Sequence, residues 1–525
     1  MLVHHFVEYY ARNFPSNPCI TEAGATTHYG ELEAQANRLA NGLLGLGVVK
    51  GDRVCILGEN SVEHPVLFLA AGKIGAVTVP LNYRLAPAEL VFVITDSKAK
   101  ALLVLDDSFV DTLNALRPNL PKGIHLLTHG QPEAHDWGSF LQQQSAVHPS
   151  SLMAKGYAEV DPEDAFLQLY TSGTTGNPKG VVMTHRNLLA ECTMNTTFMP
   201  SRPAPGSVDL ICAPLFHIGG AGSILISLYA GVHVILHKAF DPSAVVADIE
   251  TYPINSVFMV PAMMMAILSL PSIETRNFEN LSQIYYGASP ISEAVLRQAM
   301  AVFGTEFIQL YGMTETTGTV VNLSPADHQI ALQGRPELLR SCGRPSVGAQ
   351  IKIMDQDGVE VATGEVGEIW AKSDTNMQSY YNLPEETAQN LTDGWVHTGD
   401  AGLLDEDGYL YLKDRMKDMV VSGGENIYPV EVENAIASHP AVADVAVIGV
   451  PAEKFGEALL AFVVTKADQT LTLDEMIEFC REKIAGYKIP RQLELVTELP
   501  RNPSGKILKK ELRKPYWEGV DRNIG

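Results

Sequence analysis

Residues 165–180 read AFLQLYTSGTTGNPKG. Ala165–Tyr170 is an apolar run of strand type that leads into a loop of hydroxyls and glycines. Thr171, Ser172, Thr174 and Thr175 supply hydroxyl groups. Gly173, Gly176 and Gly180 let the backbone approach a ligand and take positive φ. Lys179 adds one positive charge. Hydroxyls, exposed amides and a lysine together form a phosphate cradle. Counted from Gly173, the second glycine of a GxxxxGK[ST] loop falls at position 178, which is Pro178, so this is not a Walker A loop.

On the N-terminal side the chain alternates helix and strand patterns. Leu32, Ala36, Leu39, Leu43 and Leu46 recur at helical spacing within Tyr29–Leu46, and Arg53–Leu57 reads as a strand. The alternation continues through Val62–Leu81 and Ala88–Leu105, which predicts α/β layers with largely parallel sheets. Residues 115–160 are mostly polar, carry four prolines and read as loop and connecting structure. On the C-terminal side an α/β pattern runs from 208 to about 320. Beyond 340, short β-like runs are separated by Asp357-Gly358, Thr363-Gly364, Asp393-Gly394 and Asp407-Gly408, which predicts an antiparallel β subdomain. A charged stretch near Lys413–Lys417 breaks the pattern. After it, Val442–Val450 and Leu459–Val464 read as strands and Leu473–Ile484 as a helix, enough for a small α+β domain. The fold class is therefore α/β: a large N-terminal domain of α/β layers plus an antiparallel β subdomain over 1–415, and a smaller α+β C-terminal domain over 416–525.

The chain has 525 residues, 46% hydrophobic and 19% charged, with a formal net charge of −23. Such acidity repels nucleic acid and anionic membranes at long range, so no nucleic-acid partner is expected and an anionic ligand must be held locally. Cysteines 19, 55, 192, 212, 342 and 480 show no CxxC pair or metal-ligand spacing and read as buried free thiols of a reducing compartment. The opening MLVHHFVEYYARNFP lacks a basic n-region and reads as a helix. Val66–Leu81 is interrupted by Lys73 and glycines and is too short to span a bilayer. A cytoplasmic protein without a transmembrane segment is expected, and a homodimer is compatible with the sequence.

Further motifs follow the loop in order: PLFH at 214–217, YGASP at 286–290, QLYGMTE at 309–315 and GWVHTGD at 394–400. Then come KDRMKDMVVSGGENIYPVEVE at 413–433 and PRNPSGKILKKEL at 500–512. Together with YTSGTTGNPKG this series resembles the adenylate-forming superfamily, over about residues 28–515, and within it the acyl-CoA synthetase or fatty acid–CoA ligase branch. The resemblance implies ATP, Mg²⁺ and CoA as co-substrates and cofactor. It implies nucleotide contacts from Thr171, Ser172, Gly173, Thr174, Thr175, Gly176 and Lys179. Gly287, Ala288 and Ser289 would line one adenine face. Gln309, Tyr311 and Gly312 would lie on the other side, with Tyr311 stacked on the ring. Thr314 would bond the α-phosphate. Glu315, with Thr171, would hold Mg²⁺, a hard ion that prefers oxygen ligands. Asp400 would accept from the ribose hydroxyls, with Arg415 beside it, and Asn426 would contact the AMP phosphate.

Lys506 follows the turn Asn502-Pro503-Ser504-Gly505 and precedes the helical pattern Ile507–Lys514. By the resemblance it is the catalytic lysine, between the substrate carboxylate and the α-phosphate, where it offsets repulsion between two anions. Lys509, Lys510, Arg513 and Lys514 read as a solvated basic face. The resemblance also implies a mobile C-terminal domain that rotates about Lys417, and a pantetheine tunnel walled by Gly423 and Gly424. His217 would gate the acid pocket, with Gly219, Gly220, Ser223 and Met263 around it. Ile218 stands where amino-acid-adenylating relatives carry aspartate, which argues against an α-amino acid. Gly219–Gly222 suggests an open, deep wall, and Met259, Met263, Met264 and Met265 add adaptable apolar surface. A medium- or long-chain fatty acid is expected. The alternatives are an aryl or aryl-alkyl acid, a carrier-protein thiol as acceptor, or luciferase-like oxidation.

Overall fold

The computed structural model describes residues 1–128, 134–171, 178–198, 204–289, 291–415, 418–422, 425–452, 456–481, 483–501 and 506–518, with backbone alone at 198, 414–415, 421, 425–426 and 456. Two large sheets build the N-terminal domain. One has nine strands, in spatial order Arg344–Pro345, Gly318–Leu323, Glu306–Met313, Gln283–Gly287, Ser256–Met259, Val208–Ile211, His233–Leu236, Pro18–Glu22 and Ala25–His28. The run from Glu306–Met313 to Pro18–Glu22 is parallel. The other sheet has eight strands. Ala165–Thr171, Val77–Leu81, Arg53–Leu57, Ala101–Val104, His125–Thr128 and His135–Asp136 run parallel, Lys179–Thr184 returns antiparallel to Ala165–Thr171, and Ser379–Tyr380 adds the eighth strand antiparallel to Lys179–Thr184.

Helices Tyr29–Gly45, Glu63–Lys73, His185–Phe198 and Ile218–Ala230 join the two sheets in one apolar core. Leu32, Ala36, Leu39 and Leu43 are fully buried there, as their helical spacing requires. Helix Glu63–Lys73 is buried almost all round, including Lys73 at 0% exposure. The charge of Lys73 is met by Glu8 Oε1 at 2.5 Å and Glu33 Oε1 at 2.9 Å.

The antiparallel subdomain is a five-stranded sheet built on Gln350–Met354, Gly367–Lys372, Trp395–Leu404, Leu391–Thr392 and Leu410–Arg415. Asp393-Gly394 makes a two-residue hairpin loop with both φ values positive, 52° and 81°, between the paired Thr392 and Trp395. The C-terminal sheet centres on the long hairpin Val442–Ala452 and Gly456–Thr465, covered by helices Pro429–Ala437 and Leu473–Arg481.

Two sequence readings need correction. Residues 115–160 are largely loop as read but also carry regular structure: strands His125–Thr128 and His135–Asp136 extend the sheet, and Trp137, Phe140 and Leu141 of helix Trp137–Gln142 bury into the core. Short strands at a sheet edge carry too few apolar residues to outweigh the surrounding prolines in a sequence pattern. Second, the basic residues after Lys506 are not all solvated. Lys509 pairs with Glu433 at 2.9 Å and Arg513 with Asp418 at 2.7 Å, each side chain 12–15% exposed. They fasten helix Lys509–Trp517 to its domain. The six cysteines are buried and free. No helix among the described residues is long and apolar enough to cross a membrane.

Candidate active site

The strand Ala165–Thr171 and its return Lys179–Thr184 clamp both ends of the hydroxyl- and glycine-rich loop, with Thr171 paired to Lys179 and Tyr170 to Gly180. A Cβ at Gly180 would stand 2.6 Å from Gln168 Nε2, so glycine leaves room there for the Gln168 side chain. Tyr170 donates to Asp96 Oδ2 at 2.6 Å and anchors the hairpin to the neighbouring helix. Ser172, Gly173, Thr174, Thr175 and Gly176 lie outside the described residues.

Glu306–Met313 runs into the short turn Thr314–Thr316, and Gly318–Leu323 returns antiparallel. The turn is tight: Thr317 has φ +55° and Gly318 φ +122°. A Cβ on Gly312 would lie 1.6 Å from the Gly318 carbonyl oxygen, so the two glycines let the strands touch. Thr316 Oγ1 ties the turn through Met313 N at 3.0 Å and the Gly318 carbonyl at 2.8 Å.

Two polar groups converge around this turn. Glu315, 6% exposed, accepts at Oε1 from Tyr380 Oη at 2.8 Å. Lys179 Nζ pairs with Glu386 and lies 5.3 Å from the Tyr380 ring centroid. The structure therefore joins the loop lysine, Tyr380 and Glu315 in one cluster. In the second group Tyr311 Oη donates to Asp400 Oδ2 at 2.9 Å, and both residues are buried. Burial first, and Asp400 next, holds the Tyr311 hydroxyl well above its ordinary value, so it remains a donor. Arg415 is paired by backbone register with Asp400. Ala288 has φ +66°, and Gly287 is small because a Cβ would meet the Leu310 carbonyl at 2.1 Å. Gln309 Nε2 lies 3.8 Å from Cys342 Sγ.

His217 precedes helix Ile218–Ala230 and is half-buried, with its Nε2 out of solvent and lacking a protein partner. Burial, aided by Arg84, lowers it to about 4, so the imidazole is neutral at pH 7. The glycine run beyond it does not form an open wall. A Cβ on Gly219 would stand 3.0 Å from Phe258 Cε1, and one on Gly220 would stand 2.2 Å from the Pro214 carbonyl. The space left by Gly219 is taken by an aromatic ring and that left by Gly220 by backbone. Gly222 alone of the three faces room, its nearest neighbour being Ile218 Cδ1 at 3.9 Å. Ser223 Oγ turns back to the Gly219 carbonyl at 2.6 Å.

A cavity of about 310 Å³ lies at the C-terminal ends of the parallel strands. Its buried lining includes Cys212, Val260 and Met263, and Arg84, Lys238 and Arg501 also border it. Arg501 brings the C-terminal domain to this rim and pairs with Asp444 at 2.5 Å. Lys506 is half-buried just beyond, where Ile507 bridges to Arg501. The motifs alone gave no signal for Tyr380, Glu386, Phe258 or Arg84, which act through contacts distant in sequence, whereas Arg501 stands within the motif at 500–512. Lys417, Gly423 and Gly424 lie outside the described residues, as does the Asn426 side chain.

A second cavity, about 820 Å³, lies between helices His5–Asn13 and Tyr29–Gly45. Ligand atoms of His4, Glu8 and His148 lie there within 4.8 Å of one another. Lys73 already neutralises Glu8 at 2.5 Å, which makes the group an internal ion-pair network rather than a metal centre.

Residues 7–381 match the model of the AMP-binding enzyme family, and residues 431–506 match that of the AMP-binding enzyme C-terminal domain. The chain belongs to the AMP-binding enzyme family. It is similar to the fatty acid–[acyl-carrier-protein] ligase ScoC of Streptomyces coeruleorubidus, 37% identical over 98% of this chain and 96% of the relative. It is also similar to the long-chain-fatty-acid–CoA ligase FadD13 of Mycobacterium tuberculosis, 36% identical over 94% of each. The crystal structure of the anthranilate CoA ligase AuaEII in complex with anthranoyl-AMP superposes with a TM-score of 0.88, at 28% identity over 98% of this chain and 97% of that one. This AMP-binding enzyme is an ATP-dependent, adenylate-forming acid–thiol ligase.

Proposed function

We propose that the enzyme activates a medium- to long-chain fatty acid and transfers the acyl group to CoA. The observation that carries this reading is the 310 Å³ cavity, with its buried apolar lining of Cys212, Val260 and Met263 and its cationic Arg84, Lys238 and Arg501. The volume is at the lower end for ligand pockets, which run roughly 300–1,000 Å³. Together with Phe258 over Gly219, it favours the medium-length end of the range. The cations suit the phosphates of a pantetheine-bearing acceptor.

In this reading a carboxylate oxygen attacks the α-phosphorus of ATP, the bond to the β-phosphate breaks, and pyrophosphate leaves. The acceptor thiolate then attacks the acyl carbon and AMP departs with the C–O bonding pair. Lys506 sits between the two anions of the first step. Thr314 and Asp400 hold the nucleotide, with Tyr311 fixing Asp400. The buried Glu315 carboxylate is a hard oxygen donor of the kind Mg²⁺ prefers, and it would hold the ion with the Thr171 hydroxyl and the phosphate oxygens of bound ATP. Bound there, Mg²⁺ would neutralise charge on the leaving pyrophosphate. Tyr380 orients the Glu315 carboxylate, so Tyr380→Phe is expected to raise the Mg²⁺ concentration needed for half-maximal activity about tenfold. Titration of ATP–pyrophosphate exchange with Mg²⁺ checks this, and an unchanged curve counts against Glu315 as the ligand.

AMP release with CoA should be faster with octanoate and decanoate than with acetate, benzoate or ferulate. Phe258→Ala should move the optimum toward longer chains, since truncation empties the space beside Gly219. A panel that peaks on an aryl acid would replace the fatty-acid reading. A second reading takes the acceptor to be a carrier-protein pantetheine, favoured by the likeness to ScoC. Parallel assays with CoA and a phosphopantetheinylated carrier protein separate the two.

A further inference from the structure

Glu191 lies on helix His185–Phe198, directly behind the turn after Thr314–Thr316. The residue is 4% exposed. Its Oε1 accepts the Thr319 N–H at 3.2 Å, and its Oε2 is buried with no protein partner. The reason the Thr319 amide points there lies in the strand register. Tyr311 pairs with Val321 but Gly312 pairs with Thr319, so the returning strand carries a bulge. The extra residue is Val320, and the ladder is disrupted beside it, so the neighbouring buried Thr319 amide needs another acceptor. Glu191 supplies that acceptor from a different layer of the fold. Contact with Gly318 is equally close, because a Cβ there would stand 2.6 Å from Glu191 Oε1. The Gly318 carbonyl in turn abuts Gly312, so a shift of Gly318 passes straight into the strand that carries Tyr311.

We propose that Glu191 is a positioning residue for adenylate formation: it clamps the Gly318–Thr319 backbone and so sets the turn that presents Thr314 and Glu315. The proposal rests on the reading of that turn as the nucleotide-facing element. Burial pushes the Glu191 acid up to about 8, so the carboxyl is mostly uncharged at pH 7. A neutral acid can remain in this site without a counter-ion, and glutamine is therefore its closest mimic.

The test compares Glu191→Gln with Glu191→Met. Both keep the volume, but only glutamine offers an oxygen to Thr319. Glu191→Gln is expected to keep ATP–pyrophosphate exchange within about threefold of wild type, while Glu191→Met loses about tenfold or more in kcat/KM, with a raised KM for MgATP. Thioester formation from supplied acyl-AMP should change little in either, and melting temperatures report folding. Should Glu191→Met fail to fold, Glu191→Asp keeps the acid, shortens its reach by one methylene and should show the same selective loss. Exchange as fast in Glu191→Met as in wild type overturns the proposal. So does a glutamine variant as impaired as methionine, or an equal fall in both half-reactions. The Lys506→Ala enzyme serves as reference: if it too exchanges normally, the reading of the whole site fails, not the role of Glu191 alone.

Discussion

Lys506→Ala is expected to lower ATP–pyrophosphate exchange about 10²–10³-fold, the usual cost of deleting one preorganised group that meets developing charge. The same variant should convert supplied acyl-AMP to thioester within about threefold of wild type, because the second half-reaction attacks an acyl carbon and no longer joins two anions. The structure gives this expectation a physical footing. Lys506 is half-buried rather than a free surface lysine. The bridge from Ile507 to Arg501 brings the ends of its loop together, and Arg501 reaches the cavity at the parallel strand ends. Melting temperature should be unchanged. Rapid-quench measurement of each half-reaction checks the prediction, and equal losses in both would remove the division of labour between domain states.

Lys73→Met is expected to destabilise the N-terminal domain by about 3–5 kcal/mol, the typical cost of removing one partner from a buried ion pair. Lys73 is 0% exposed and neutralises two carboxylates at 2.5 Å and 2.9 Å. Without it Glu8 and Glu33 face each other beside His4 and His148, whose Nε2 atoms lie 3.8 Å and 3.5 Å from Glu8 Oε1. Burial already raises Glu33, and Lys73 pulls it back. Loss of the lysine raises the folded-state value further above the unfolded one. The deficit therefore grows as pH rises from the unfolded-state value up through the folded one, and it vanishes below the unfolded value, where the carboxyl is protonated in both states. Combining Lys73→Met with Glu8→Gln and Glu33→Gln should recover most of the loss, since a neutral cluster carries no uncompensated charge. Urea unfolding followed at pH 5 and pH 8 tests both statements. A Lys73→Met midpoint equal to wild type at pH 8 would show the network to be energetically idle.

The elements that sequence could reveal are those whose cause is local. Arg53–Leu57 is a short, mostly apolar run and is a parallel strand as predicted, and the helix–strand reading of Val62–Leu81 matches helix Glu63–Lys73 followed by strand Val77–Leu81. Leu32 to Leu43 mark one face of a helix by spacing alone. Asp393-Gly394 specifies its hairpin because few residue pairs accept two positive φ values. The short strands between 125 and 136 and the buried pairs of Lys509 and Arg513 escaped, because an edge strand or an ion pair depends on what lies across from it.

The site divides in the same way. YTSGTTGNPKG with its ordered companion motifs determined the family and the chemistry, since a phosphate cradle is built from consecutive residues whose types are constrained by the ligand. The loop lysine and the later turn, however, are held by partners remote in sequence: Lys179 by Glu386, and Glu315 by Tyr380. The glycines after His217 promised an open wall by composition. Tertiary packing put Phe258 and the Pro214 carbonyl into the space beside Gly219 and Gly220. Which side chain fills the space left by a glycine is a long-range packing fact. The chemistry of this enzyme was therefore legible in its residues, whereas the space beside the glycines after His217 and the support of the Thr314–Thr316 turn were decided only when distant strands met.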